Sequence, residues 1–355
     1  MRLNVCMLGP SGVGKTSMIT AIFMDAKNKL ISHPSKIKIF PESDETRERI
    51  EKAIAQFEHT LRLDSNEIGL IAGNATLSEY KFRFHIPDSP QPVDVKILDY
   101  PGGWLGTDDF QLIEKHVQDS LATLVPIPAD VLLEWYRNFK KNPNNEISKF
   151  AETVLCPNKV CAAIKNWIES RQERTQKSLL MFVPIRCEHC FSDNGGDGDQ
   201  GVDLQNAVKE MYLSRLDIPN ETVQTEIRAI DTYGVVELQQ VTWKEQRIWS
   251  NFRRREVVAK AKPKGAYEVL SRIILFKMEE YADLLHTSIG DLEETISQRG
   301  FLKKFFIALL GDKEKAMLNS LEAEEVEMFV ALKTLNDVTC DDMHTYDSKR
   351  TKIIQ

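Results

Sequence analysis

Gly9-Pro10-Ser11-Gly12-Val13-Gly14-Lys15-Thr16 matches Gly-x-x-x-x-Gly-Lys-Ser/Thr at every fixed position. The run before it, Leu3 to Leu8, is short and apolar, as a buried strand should be. After it, Met18, Ile19, Ile22 and Phe23 recur at helical spacing. Strand, glycine-rich turn and helix in that order make a phosphate-binding loop. Its glycines let backbone N–H groups turn inward, where a Cβ would intrude. The following helix brings its positive end to the same place. The polyphosphate candidates are therefore Gly9, Ser11, Gly12, Val13, Gly14, Lys15, Thr16 and Ser17. Lys15 would reach the β- and γ-phosphates, and the Thr16 hydroxyl would ligate Mg²⁺.

Working outward, Glu42 to His59 has helical periodicity through Ile50, Ala53, Ile54 and Phe57. Gly69 to Asn74 reads as a loop with an apolar centre. Tyr80 to Ile86 alternates in polarity, Pro87 to Pro92 is a turn, and Val93 to Asp99 alternates again, which predicts a hairpin. The second strand ends in Asp99-Tyr100-Pro101-Gly102. A carboxylate at a strand end, ahead of a tight turn with glycine fourth, suits a γ-phosphate sensor: Asp99 holds the metal through water and the Gly102 N–H meets the terminal phosphate. Lys15, Asp99 and Gly102 are the catalytic candidates.

With this motif order the chain resembles P-loop GTPases of the translation-factor and Ras-like class. The resemblance implies a switch threonine. Thr76 lies 23 residues before Asp99 (99 − 76) and takes that place as a third metal and phosphate ligand; a plain turn or cap residue is the alternative. Ras-like members carry a water-orienting glutamine after the Asp-x-x-Gly glycine, whereas this chain has Gly103, which implies slow unaided hydrolysis. Trp104 is either a lid or a buried anchor. The apolar run Leu121 to Ile127 predicts a strand stopping at Pro126, and Ser178 to Ile185 predicts another, running into Arg186-Cys187-Glu188. Family members have Asn-Lys-x-Asp there. By position Arg186 would stack on the base and Glu188 would accept from guanine N1–H and N2–H₂; a strand-end ion pair without a role in base choice is the alternative. Thr222 to Ile230 reads as the last strand, and Asp231 and Thr232 after it would belong to the loop covering the base. The whole motif set is most similar to bacterial GTPase-like domains of the double-GTPase type, linked to conflict and phage-defence systems. That likeness covers residues 1–240.

The 355 residues are 42% hydrophobic and 28% charged, with net charge −7, and the pI is about 5.7. No general nucleic-acid surface is expected from an acidic chain. No apolar run reaches the roughly 18 residues that span a bilayer, and no signal peptide precedes the first strand, so a cytoplasmic location is expected. Six scattered cysteines do not make a disulfide scaffold. Cys187 and Cys190 could make a zinc site with Cys156 and Cys161, although unliganded thiols are the default. The Gly/Asp-rich run Phe191 to Gly201 lacks the ligand pattern of a calcium loop.

From Gln240 on, strand signals fade and helices are expected, Tyr267 to Leu285, Asp291 to Leu310 and Leu318 to Leu335. The expected architecture is a three-layer α/β domain over 1–240 with a mixed, mainly parallel sheet, and a helical appendage over 241–355. Gly300 to Leu310 reads as a bundle-core helix, with docking on a membrane or partner as the lesser alternative. Arg253-Arg254-Arg255 reads as a solvated helix face, with contact to nucleic acid or phosphate as the lesser alternative. The expected function is GTP binding with Mg²⁺ and slow hydrolysis to GDP, reported to a protein partner or a second protomer. An ATPase with the same loop, or a scaffold that binds nucleotide without turnover, are the alternatives.

Overall fold

The computed structural model describes the chain except residues 33–36, 63–75, 88, 90–91, 173–176, 193–199, 245–246, 256–259, 282–322, 325, 329, 332–333, 335–350 and 355. Its frame is an eight-stranded sheet in the order β10-β7-β6-β5-β1-β4-β3-β2. The inner strands are β1 (Arg2–Met7), β4 (Val93–Asp99), β5 (Ala122–Pro128), β6 (Ser178–Ile185) and β7 (Val223–Arg228), all paired parallel. Antiparallel strands flank them: β2 (Lys38–Pro41) and β3 (Ser78–His85) on one side, β10 (Thr351–Ile354) on the other. This is the expected mixed α/β sheet, and β3–β4 is the expected hairpin.

Both faces of the sheet are covered. β5 and β6 carry no exposed residue, which is why they read as continuous apolar runs rather than alternating ones. One core joins α1 (Lys15–Ser32) to the sheet through Met18, Ile19, Ile22 and Phe23. The other gathers α3 (Gln111–Asp119), α4 (Ala129–Lys141), α5 (Glu146–Leu155), α6 (Pro157–Gln172) and α7 (Gly201–Met211). α2 (Asp44–Arg62) packs Ile50 toward the first core and Phe57 and Leu61 into a third, smaller cluster. α5 and α6 meet at Cys156-Pro157, where Cys156 adopts φ 45° and caps α5.

Two expectations change. β5 does not stop at Pro126; it runs on to Pro128. β5 pairs with β1 only over Ala122–Leu124. The Leu124 carbonyl faces the β1 side, so by strand alternation the Pro126 nitrogen does too, beyond the point where β1 has given way to the loop. A proline there forfeits no ladder bond.

The second change is larger. Strands do not fade after Gln240. β8 (Val236–Lys244) and β9 (Arg247–Arg254) form a separate antiparallel hairpin, so Arg253 and Arg254 lie on a strand and not on a helix face. The helix over residues 266–281, α8, is no appendage of the sheet. Its Tyr267, Val269, Leu270, Ile273 and Ile274 are buried in the same core as α1. Each such side chain is worth roughly 1.5–3 kcal/mol of burial. The Tyr267 N–H donates to Asp25 Oδ2 of α1 at 2.8 Å, Lys29 Nζ meets Glu268 Oε1 at 2.6 Å, and Arg272 Nε meets Glu226 Oε1 of β7 at 2.8 Å. Met328 and Ala331 join that core as well, and β10 completes the sheet edge. Residues 69–74, 193–199 and 291–310 fall outside the described residues.

Candidate functional site

β1 delivers its carboxyl end directly into the glycine-rich loop, and α1 starts at Lys15. Gly14 sits at φ 95°, and a Cβ there would lie 2.5 Å from Ile185 Cδ1 at the end of β6. The loop is therefore wedged between its own helix and the strand that leads to Arg186. Gly9, Pro10 and Val13 are buried, Gly12, Gly14 and Thr16 are half-buried, Ser17 is buried, and Ser11 is exposed.

Lys15 is buried and folds back on the loop: Nζ donates to the carbonyls of Gly9 at 2.9 Å and Pro10 at 3.1 Å. Burial pulls its ammonium down to about 8, with Asp99 and Cys6 nearby acting in the opposite sense. The Thr16 hydroxyl donates to Asp99 Oδ2 at 2.6 Å. These two hard oxygen donors suit Mg²⁺, which is bound by few protein ligands together with phosphate and water. Gly102 lies against the loop itself, since a Cβ on it would fall 2.1 Å from the Ser11 nitrogen. The loop, Asp99 and Gly102 are thus brought together. Gly103 is exposed with nothing within 4 Å of an added Cβ. Trp104 is half-buried and packs against the second core.

Thr76 is exposed in a bend before β3, and no described contact joins it to Thr16 or Asp99.

At the carboxyl end of β6 the candidate side chains meet partners within the protein. Arg186 is at φ 61°, its N–H donates to Thr232 Oγ1 at 2.8 Å, and its Nη2 lies 2.9 Å from Asp130 Oδ1 at the start of α4. The Ser250 hydroxyl of β9 donates to the other Asp130 oxygen. Glu188 is fully buried, and its Oε1 accepts from the N–H groups of Tyr233 at 2.6 Å and Gly234 at 3.4 Å. Glu188 Oε2 is buried with no hydrogen-bond partner among the described residues. Burial, with Asp231 second, raises the Glu188 carboxyl to about 7. Arg255 Nη2 donates to the Glu188 carbonyl at 3.2 Å, so one member of the expected basic run is turned onto this loop. Asp231 is buried and its backbone pairs with Lys264.

Sequence reasoning missed Tyr100, Asp130 and Ser250. An acidic residue in the first turn of α4 was a visible signal for Asp130; nothing local marks Ser250. The proposed cysteine quartet is not assembled. Cys187 and Cys190 are buried beside Arg186, whereas Cys161 Sγ meets the Tyr212 carbonyl at 3.7 Å. Among the described residues no three His, Cys, Asp or Glu side chains converge as a metal site, and no described helix is long and apolar enough to cross a membrane.

No family model matches the chain, and no curated protein matches it. Among solved structures it is similar to the GTPase-like domain of Ski7 from S. cerevisiae, crystallised with GTP, at 12% identity and a TM-score of 0.28. That alignment takes in 64% of this chain and 43% of the other.

Proposed function

We propose that this chain binds a nucleoside triphosphate with Mg²⁺ in the Gly9–Thr16 loop and hydrolyses it slowly. The observation that carries the reading is the meeting of Thr16 Oγ1 and Asp99 Oδ2, 2.6 Å apart, beside a buried lysine at the N-terminus of α1. Thr16 and Asp99 would hold the metal, with Thr76 as a further ligand. When bound, Mg²⁺ neutralises charge on the β- and γ-phosphates. Lys15 places its ammonium against the transferring group, and the Gly102 N–H meets the terminal phosphate.

Guanine is the proposed base. Glu188 Oε2, a buried acceptor without a partner among the described residues, supports this reading, because guanine carries an N–H donor at N1 where adenine has an acceptor. Arg186, Asp231 and Thr232 would frame the base. The test is fluorescence titration with mant-GTP and mant-ATP, together with identification of the nucleotide released from the purified protein on denaturation. Tighter mant-ATP binding would replace guanine by adenine, and binding of neither would refute the site.

A second reading is favoured by one specific observation. Gly103 offers no side chain to orient water, and the space around it is open. A scaffold that holds nucleotide without turnover follows if single-turnover phosphate release is no faster than in buffer. A partner or second protomer would then report the nucleotide state, and a role in bacterial defence, which the motif resemblance implies, would be tested by phage plating with Lys15→Ala.

A further inference from the structure

Tyr100 follows the metal-side carboxylate on the same strand end, yet it points the other way. Asp99 reaches Thr16 on α1, while Tyr100 is buried among Cys6, Leu8 and Leu98 in the second core. Consecutive residues of a strand face opposite sides of the sheet, so this one strand end grips the loop from both faces. The Tyr100 ring lies under Lys15, with Nζ 5.0 Å from its centroid. Its hydroxyl lies 3.4 Å from the Gly9 N–H, a long contact in which the phenol oxygen accepts. Phe110, from the turn over Asp108–Phe110, meets the ring edge-on, centroids 5.9 Å apart and planes at 80°, which fixes the ring plane.

A residue needed only for packing here could be any apolar side chain. This one presents an electron-rich face to a cation that has been withdrawn from water, where such attraction is strongest. The Gly9 and Pro10 carbonyls fix the ammonium from the loop side, and the ring supports it from the other.

We propose that Tyr100 is the positioning residue for Lys15, holding its ammonium at the loop so that an incoming polyphosphate meets it already placed. This rests on the reading of the loop as a polyphosphate site. It also makes the sensor strand, through adjacent residues, the common support of the metal ligand and of the phosphate-binding cation.

The test has two arms. In the first, the nucleotide-free protein is labelled with acetic anhydride and the rate at Lys15 is read by peptide mass spectrometry. Tyr100→Phe is compared with Tyr100→pentafluorophenylalanine, which keeps the shape and withdraws charge from the ring face. We expect Lys15 to label roughly 3- to 30-fold faster in the fluorinated protein; equal rates overturn the proposal. In the second, mant-triphosphate affinity is measured for Tyr100→Leu, Lys15→Ala and the double variant. Tyr100→Leu is expected to weaken binding in the parent and to add nothing once Lys15 is gone; an undiminished effect in the Lys15→Ala background shows packing alone and overturns it. If the parent protein binds no nucleotide, the reading of the site falls, and the labelling arm still decides the Tyr100–Lys15 pairing.

Discussion

The Thr16 hydroxyl donates to Asp99 Oδ2 at 2.6 Å, across 83 residues of sequence. Thr16 belongs to the first turn of α1 and Asp99 ends β4, so the bond ties the start of that helix to the end of that strand. The pair is held by packing: Asp99 is 1% exposed, and β4 is paired on both sides, with β1 and β3.

Asp99→Asn keeps the shape and one acceptor oxygen for the Thr16 hydroxyl but removes the charge. It is expected to leave the thermal midpoint within a few degrees of the parent and to abolish the Mg²⁺ dependence of triphosphate binding, lowering affinity in Mg²⁺ by more than about tenfold. Titration with and without EDTA checks this. An unchanged Mg²⁺ response would remove Asp99 from the metal site.

Gly102 and Gly103 are adjacent and should behave oppositely. A Cβ at 102 would fall 2.1 Å from the Ser11 nitrogen, against backbone that has no flexible end to swing away. Gly102→Ala should therefore cost roughly 1–3 kcal/mol of stability, or displace the turn and weaken triphosphate binding. A Cβ at 103 meets nothing within 4 Å. Gly103→Gln should fold normally, and single-turnover phosphate release should rise if water positioning is what the chain lacks.

Lys15 gives a signed pH dependence. Its ammonium titrates near 8 when folded, against 10.5 as the ordinary value. Below about pH 8 both folded and unfolded chains hold the proton, and the full cost of burying the charge is present. Between about 8 and 10.5 the unfolded chain binds more protons, so stability of the nucleotide-free protein rises with pH through that window by an amount on the order of 3 kcal/mol. Lys15→Met should be more stable than the parent at pH 7 and lack that rise. Phosphate needs the charged form, so triphosphate affinity should fall above about pH 8 in the parent. Denaturant midpoints and nucleotide titrations at pH 7 to 9.5 measure both.

Glu188 requires two substitutions to separate its roles. Glu188→Ala leaves the Tyr233 N–H without its 2.6 Å acceptor and should cost roughly 1–3 kcal/mol whatever base is bound. Glu188→Gln keeps an acceptor there and removes the charge. If Glu188 reads guanine, the mant-GTP over mant-ATP preference collapses in Glu188→Gln with the fold intact. A retained preference would assign Glu188 to the Asp231–Gly234 turn alone. The Glu188 carboxyl titrates near 7 when folded, above its ordinary 4.5. Its contribution to stability is therefore present below about 4.5 and lost as pH rises toward 7, and Glu188→Gln should flatten that part of the profile.

A chain ended after residue 240 should fail to fold. It would lack α8, which buries Tyr267, Leu270 and Ile274 against α1 and the sheet, and would leave Asp25 buried without the Tyr267 N–H. Expression with circular dichroism checks this; a folded 1–240 fragment would show that the helix is dispensable.

The amino-acid sequence determined by itself what depends on neighbours along the chain. Glycine spacing and the flanking apolar runs gave the loop between β1 and α1. Alternation gave the β3–β4 hairpin that ends at Asp99, and an unbroken apolar run gave β6. These are properties of a window of ten or twenty residues, because strand and helix periods are local. Tertiary structure decided the rest, since it rests on pairs far apart in sequence. Gly102 is pressed on Ser11, Arg186 is held by Asp130, and Tyr100 lies under Lys15. The Glu188 carboxylate was legible as an acceptor, but its turn toward the Tyr233 N–H was not. The β8–β9 hairpin and β10 carry too little apolar alternation to stand out. α8 reads like any amphipathic helix until the face of the sheet beside α1 is seen to need covering.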